Sequence, residues 1–204
     1  MSTVNVDFGG WIQAAFDLYK KNFVTLLLAN LIASLIAGLT FFILAGPLAV
    51  GLFMVTLGLL DGAAPAPQPG DVFKGFKSFL PAFVVVLVVM LVSMIASFLI
   101  PVVGNLVGLV ISTFVMFSLP MLADGRTDNL SELLSRSFDM VKANFWPLLG
   151  LNLVAALLAG VGVILCGIGA IVTAPMYACI IAVAYRAHVP AGGGTAPMKA
   201  PPLA

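Results

Sequence analysis

The chain has 204 residues, of which 62% are hydrophobic and 8% charged, with a formal net charge of +1 and a mean hydropathy of +1.18. A soluble domain carries about 25% charged residues, so the composition excludes an ordinary water-soluble fold and predicts a membrane protein. The near-neutral balance offers no basic surface to nucleic acid, and a single histidine rules out bis-histidine haem.

The charges are segregated. None falls in Phe23–Leu60, Ser78–Ala123 or Ala143–Tyr185, intervals of 38, 46 and 43 residues. A spanning helix needs about 20 apolar residues to cross a hydrocarbon core about 30 Å thick. Each interval therefore fits two spans better than one. The predicted fold class is all-α: a polytopic bundle of six transmembrane helices in three hairpins, 23–60, 78–123 and 143–187, within a membrane domain covering 23–188.

Residues 1–22 read as an amphipathic helix on the membrane surface. Phe8, Trp11, Ile12, Ala15, Phe16 and Tyr19 recur at helical spacing, and Asp17, Lys20 and Lys21 close the segment. The plainer reading is that this is the beginning of the first span, and Gly9-Gly10 favours a start near Gly10. A secretory signal is not expected, because Asp7 precedes any basic residue and the apolar interval that follows is too long.

Within the first hairpin Gly46-Pro47 is the favoured tip, since proline disfavours helix in the residue before it and suits a first turn. That tip leaves Pro47–Leu60 for the return helix, roughly 21 Å at 1.5 Å per residue. The alternative is a tip near Gly38-Leu39-Thr40 with Pro47 kinking the second helix. Asp61–Gly70 reads as an extended, proline-stiffened loop, and Asp71-Val72-Phe73-Lys74 opens the second hairpin. Its turn is expected over Ile100–Asn105. A second interfacial helix, 128–142, follows, with Thr127, Asp128 or Asn129 as its cap and Glu132 in its first turns. Leu130, Leu133, Leu134, Phe138 and Val141 form its apolar face. The third hairpin is expected to turn near Cys166-Gly167-Ile168-Gly169, with Pro175 inside its returning helix. Residues 189–204 are rich in Pro, Gly and Ala and read as a disordered tail.

The chain also repeats itself. Phe16–Gly38 and Phe138–Gly160 are identical at 13 of 23 positions at a constant offset of 122, the matches including Asp17/Asp139, Lys20/Lys142, Asn22/Asn144 and Asn30/Asn152. Matched Leu and Ala mean little in so apolar a chain; matched polar residues point to an internal duplication. In the six-helix arrangement all nine Lys and Arg fall on one side of the membrane. Basic residues mark the cytoplasmic face, so both termini are expected in the cytoplasm, and the two copies enter from the same side as parallel repeats.

The predicted spans hold no Asp, Glu, Lys, Arg or His, which removes the usual means of proton coupling. No hydrolase triad, phosphate loop or metal spacing is present, so neither a cofactor nor an enzyme is expected. Cys166 and Cys179 read as buried free thiols. Asn30 and Asn152 are the foremost intramembrane candidates, about 10 Å inside at 1.5 Å per residue. They either face each other and bind a polar ligand group, or they fix packing through interhelical hydrogen bonds worth roughly 1 kcal/mol. Lys20 and Lys142 either pair with Asp17 and Asp139 or, with Trp11 and Trp146, contact lipid headgroups or a partner.

The Asn-Phe breaks, Gly46-Pro47-Leu48-Ala49-Val50-Gly51, the helix before the second Asn-Phe-Trp and the proline of the last span occur together. In this the chain resembles small bacterial six-helix membrane proteins of unknown function and, distantly, the membrane domain of glycerophosphodiester phosphodiesterases. The resemblance covers about residues 10–187 and implies the fold; it carries over no catalytic residue, because the phosphodiesterase chemistry belongs to a separate domain. The expectation is a non-enzymatic protein acting by packing with lipid, a protein partner or further copies of itself. A channel or carrier for a small neutral or apolar molecule is the alternative.

Overall fold

The computed structural model describes residues 7–99, 101–164 and 168–191, and these are all-helical apart from turns and connections. The helices are α1 (Phe8–Lys21), α2 (Phe23–Leu39), α3 (Ala45–Leu60), a 3-10 segment (Pro69–Ser78), α4 (Phe79–Leu99), α5 (Pro101–Val115), α6 (Ser118–Ala123), α7 (Leu130–Ala143), α8 (Phe145–Ile164) and α9 (Ile168–His188). Three stretches are long and apolar enough to cross a membrane: Pro69–Phe98, Leu106–Ala123 and Ile171–His188. Counting the two sharply bent pairs, α1 with α2 and α7 with α8, as one span each raises the number to five.

α1 begins two residues before Gly10, because Asp7 caps it: the Asp7 carboxylate accepts a hydrogen bond from the Gly10 N–H at 2.9 Å. Lys20 and Lys21 stand in its last turn, where cations complement the helix dipole. Asn22 stops it, its backbone N–H and its side-chain amide both donating to the Leu18 carbonyl. α2 then leaves at 87°, so residues 8–21 are a separate helix and not the head of the next one. The chain around Asn144 does the same. Asn129 caps α7 by accepting from the Ser131 N–H at 3.0 Å, Asn144 closes it onto Val141, and α8 departs at 104°.

The first hairpin turns over Thr40–Leu44, where Phe41 and Phe42 both adopt positive φ. The expected tip at Gly46-Pro47 is therefore corrected: the chain is already helical at Ala45, and Pro47 sits in the first turn of α3. Proline's missing N–H costs no hydrogen bond there. Thr40 ends α2 by donating to the Ile36 and Ala37 carbonyls. With 16 residues, α3 reaches about 24 Å.

The stretch expected as an extended loop to Gly70 is already helical at Pro69. Asp71 caps the 3-10 segment reciprocally with Gln68, and the segment folds back along α3. The contact is backbone on backbone: a methyl added to Gly51 would overlap the Val72 carbonyl, and one on Gly75 would overlap the Pro47 carbonyl. Lys74 and Lys77 consequently lie along α3 toward its first turn and not at its Asp61 end.

The second turn, expected over Ile100–Asn105, is corrected at its last five residues. α5 starts at Pro101, so Pro101–Asn105 is helix; Ile100 lies outside the described residues. α4 and α5 pack closely enough that a methyl on Gly108 would come within 3.0 Å of Ser93 Oγ. In the third hairpin α8 and α9 pack side by side, with Thr173 donating to the Ala159 carbonyl at 2.6 Å. Cys166 and Gly167 of the expected turn, and residues 192–204 of the expected tail, lie outside the described residues. Cys179 is a buried free thiol.

Candidate functional site

Helix α9 is the hub of the protein. Its run from Met176 to Arg186 is almost wholly buried, and α1, α2, α3 and α8 all pack against it. Pro175 interrupts it. Proline has no N–H, so the carbonyl of Ile171, four residues earlier, loses its helical donor. An unpaired backbone group costs several kcal/mol in hydrocarbon. Asn30 supplies the donor: its amide Nδ2 lies 3.0 Å from the Ile171 oxygen. One residue on, the Tyr19 hydroxyl donates to the Val172 carbonyl at 2.5 Å. Tyr19 and Asn30 thus cap the proline break from α1 and α2 together.

Asn152 works on the other side of Pro175. Its Nδ2 donates to Ser112 Oγ at 3.0 Å and to Thr113 Oγ1 at 2.9 Å, and its Oδ1 accepts from the Tyr177 hydroxyl at 3.0 Å. This cluster joins α8, α5 and α9. Asn30 and Asn152 therefore share no site. Each is buried and spends its amide protons on a neighbouring helix, one at Ile171 and one beside Tyr177.

A second polar centre has no counterpart among the residues singled out in the sequence. Arg186 is 5% exposed. Its Nη2 donates to Asp61 Oδ2 at 2.6 Å and to Asp124 Oδ1 at 2.7 Å, and its Nε donates to Asp61 Oδ1 at 2.9 Å. Arg126 Nε donates to Asp124 Oδ2 at 2.6 Å and its Nη2 to the Pro190 carbonyl at 2.8 Å, while the Tyr185 hydroxyl reaches Asp124 at 3.2 Å. Asp61 closes α3, Asp124 closes α6 and Arg186 lies in the last turn of α9. One guanidinium thereby ties together the ends of three helices. Burial pushes the Asp124 carboxyl up, but the hydrogen bonds from Arg186 and Arg126 outweigh it and hold the group below the usual carboxylate range. In the sequence Asp61, Asp124 and Arg186 are the first charges after the three apolar intervals, which marks the positions but not that they meet.

The four expected headgroup or partner contacts divide. Trp146 is 77% exposed, and Lys20 and Lys142 are exposed. Trp11 is turned inward instead, 5% exposed, with its ring edge-on to His188 at 5.8 Å. Its apolar bulk packs α1 onto α9 and leaves no face for lipid. Lys20 rests its ammonium 4.4 Å above the Phe16 ring. Asp71 and Lys74 pair at 2.8 Å; among the described residues no ion pair joins Asp17 to Lys20 or Asp139 to Lys142. Among the described residues, no three His, Cys, Asp or Glu side chains gather as a metal site would require. No family model, curated protein or solved structure matches the chain.

Proposed function

We propose that this chain is a non-enzymatic protein of the bacterial inner membrane, with six spans in three hairpins and both termini in the cytoplasm. It acts as an accessory, scaffold or assembly subunit by offering helix surface to lipid or to partner membrane proteins. The observation that carries the reading is the contrast between its interior and α4. The intramembrane amides of Asn30 and Asn152 are consumed in helix–helix bonds, whereas the most apolar window of Pro69–Phe98 is only 11% buried. Leu80, Met94 and Phe98 project from it into the surroundings. In lipid, a helix so clothed is stable without a protein neighbour yet free to accept one. In this reading α3 is the sixth and shortest span, with Lys74 and Lys77 drawn in along it so that the one-sided charge rests on the other basic residues, and α1–α2 and α7–α8 are the two copies of a parallel repeat, supported by their equivalent bends at Asn22 and Asn144. The likeness to six-helix proteins of the phosphodiesterase membrane-domain type belongs to the same proposal.

The test is photo-crosslinking in native membranes from Met94 and Phe98, with mass spectrometry of the adducts. A discrete protein adduct or a second copy of the chain supports the reading. A monomer that yields neither a protein adduct nor a selectively retained lipid overturns it.

A second reading is carriage of a small apolar molecule. It is favoured by a half-open cavity of about 170 Å³ among α3, α4, α5 and α9, bounded by Phe53, Val85, Val89, Met116 and Tyr177. Flux of a small apolar solute through proteoliposomes should fall when Val89→Trp fills that space; unchanged flux removes this reading.

A further inference from the structure

We infer that the groove between α5 and α7 is a binding site for the primary ammonium headgroup of a phosphatidylethanolamine-type lipid. The inference rests on the membrane reading above and names a lipid class that the reading leaves open. The groove, about 360 Å³ in volume, is bounded by Phe114, Val115, Leu134, Ser135, Phe138 and Asp139. Its floor is rigid. Ser137, one residue from Phe138, donates to the Phe114 carbonyl at 2.7 Å. The Phe114 ring stacks on Phe138 at 4.7 Å and on Phe145 at 5.3 Å.

Aromatic rings beside a carboxylate are the combination that recognises an ammonium ion. The ring quadrupole attracts the cation, and the carboxylate takes its N–H groups in charge-assisted hydrogen bonds. Asp139 supplies an exposed carboxylate with no ion pair among the described residues, and Ser135 adds a hydroxyl at the rim. Phosphatidylglycerol has no cation to offer, and phosphatidylcholine has no N–H to donate.

The other copy of the repeat shows the same position at work. Phe16 and Asp17 correspond to Phe138 and Asp139 at the offset of 122, and there an alkylammonium, that of Lys20, sits over the Phe16 ring at 4.4 Å. Among the described residues no cation lies over Phe138. The groove also lies at the right depth in the membrane reading. It adjoins the α7–α8 bend, where Trp146, 77% exposed and 5.4 Å from Phe145, sits at headgroup level. Val115 and Leu134 give the first methylenes of a lipid an apolar path inward.

The full chain in bilayer nanodiscs of equimolar phosphatidylethanolamine, phosphatidylcholine and phosphatidylglycerol, released into native mass spectrometry, provides the test. Wild type should retain phosphatidylethanolamine over phosphatidylglycerol by about threefold, the worth of one exposed cation–π contact, and over phosphatidylcholine, whose choline makes the same ring contact, by about threefold through the N–H bond to Asp139. Asp139→Asn should abolish the preference over phosphatidylcholine, Phe138→Leu should weaken that over phosphatidylglycerol, and Arg136→Gln, on α7 but outside the groove, should leave both intact. Equal retention of the three lipids overturns the site, as does a preference over phosphatidylcholine that survives Asp139→Asn. A preference that emerges only in Lys142→Gln also overturns it, because the chain's own lysine would then fill the groove. Alkaline extraction of membranes separates this failure from that of the premise: a chain that is extracted is no integral membrane protein, whereas one that stays and shows no preference lacks only the site.

Discussion

Helices α4 and α9 have the same length, 21 residues, and opposite lives. The apolar window containing α4 is 11% buried and that of α9 is 67% buried, although α4 is the more apolar of the two. In water that ordering would be reversed. In lipid, apolarity gives no reason to leave the surroundings, so helices pack where small residues let them approach and polar groups need partners. α9 has both features: Ala178, Ala182 and Ala184 are fully or almost fully buried, and Thr173, Tyr177, Tyr185 and Arg186 all bond to other helices. α4 is nearly all Val, Leu, Met, Ile and Phe, and it faces outward.

The strongest way to break the contrast is to remove the charge at the end of α9. Arg186→Met leaves Asp61 and Asp124 facing each other without their shared cation. Stripping one partner from a buried pair costs about 3–5 kcal/mol, and a loss of that size is expected in detergent unfolding followed by circular dichroism. The double variant Arg186→Met with Asp61→Asn should regain most of it, since Asp124 keeps Arg126 as its partner and no uncompensated charge remains. A double variant no better than the single one would mean that the guanidinium stem, and not its charge, holds the three helix ends together.

Acid sharpens the same point. The Asp124 carboxyl is held below its ordinary value in the folded protein, so its contribution is fully present above the unfolded carboxylate range, about pH 4. It is lost as pH falls from there through the folded value, because the unfolded chain takes up the proton first. Stability should be level with respect to this group at neutral pH and fall below about pH 4. The part of the fall due to Asp124 should vanish in Asp124→Asn, and an unchanged acid profile in that variant would remove Asp124 from the account.

A smaller effect tests the proline break. Asn30→Leu strands the Ile171 carbonyl and should cost roughly 1 kcal/mol, the scale of an interhelical hydrogen bond in a membrane. Pro175→Ala restores the helix's own N–H donor to that carbonyl. Asn30→Leu should therefore cost much less in the Pro175→Ala background, giving a coupling energy of the same order. Asn152→Leu, whose partners are Ser112, Thr113 and Tyr177, should show no such coupling. Equal costs of Asn30→Leu in both backgrounds would mean that Asn30 does not act through Pro175.

Much of this was legible because it is local. The Asn-Phe breaks mark where α1 and α7 end, and Asn129 was among the candidate caps of α7, whose described start at Leu130 lies two residues beyond the expected 128. Two matched asparagines pointed to buried amides, though not to their separate partners, since hydrogen-bond partners are set by neighbours that a repeat does not duplicate. The return of Pro69–Ser78 along α3 could not be read, because it depends on Gly51 and Gly75 letting two backbones touch, and glycines in an apolar helix look alike until the opposing chain is known. Trp11 misled for a related reason. A tryptophan on an amphipathic helix suits a membrane interface, and only the proximity of His188 shows that its interface is protein. The Arg186 centre was written at the ends of three apolar intervals, yet reading it required knowing that those ends meet.

The smallest expected effect is on the outward helix. Met94→Ala and Phe98→Ala each remove a large side chain, and in a buried position such truncations cost about 2–5 kcal/mol. Met94 is 64% exposed and Phe98 89% exposed, so the truncated surface faces lipid or detergent that fills the gap without leaving a cavity. Both variants should stay within about 0.5 kcal/mol of wild type. Leu151→Ala in the fully buried face of α8 should fall in the larger range under the same conditions. If Met94→Ala or Phe98→Ala destabilises the protein in native membranes but not as a purified monomer in detergent, the difference measures a partner seated on α4. If it destabilises the purified monomer, α4 is packed inside the protein and the contrast with α9 fails.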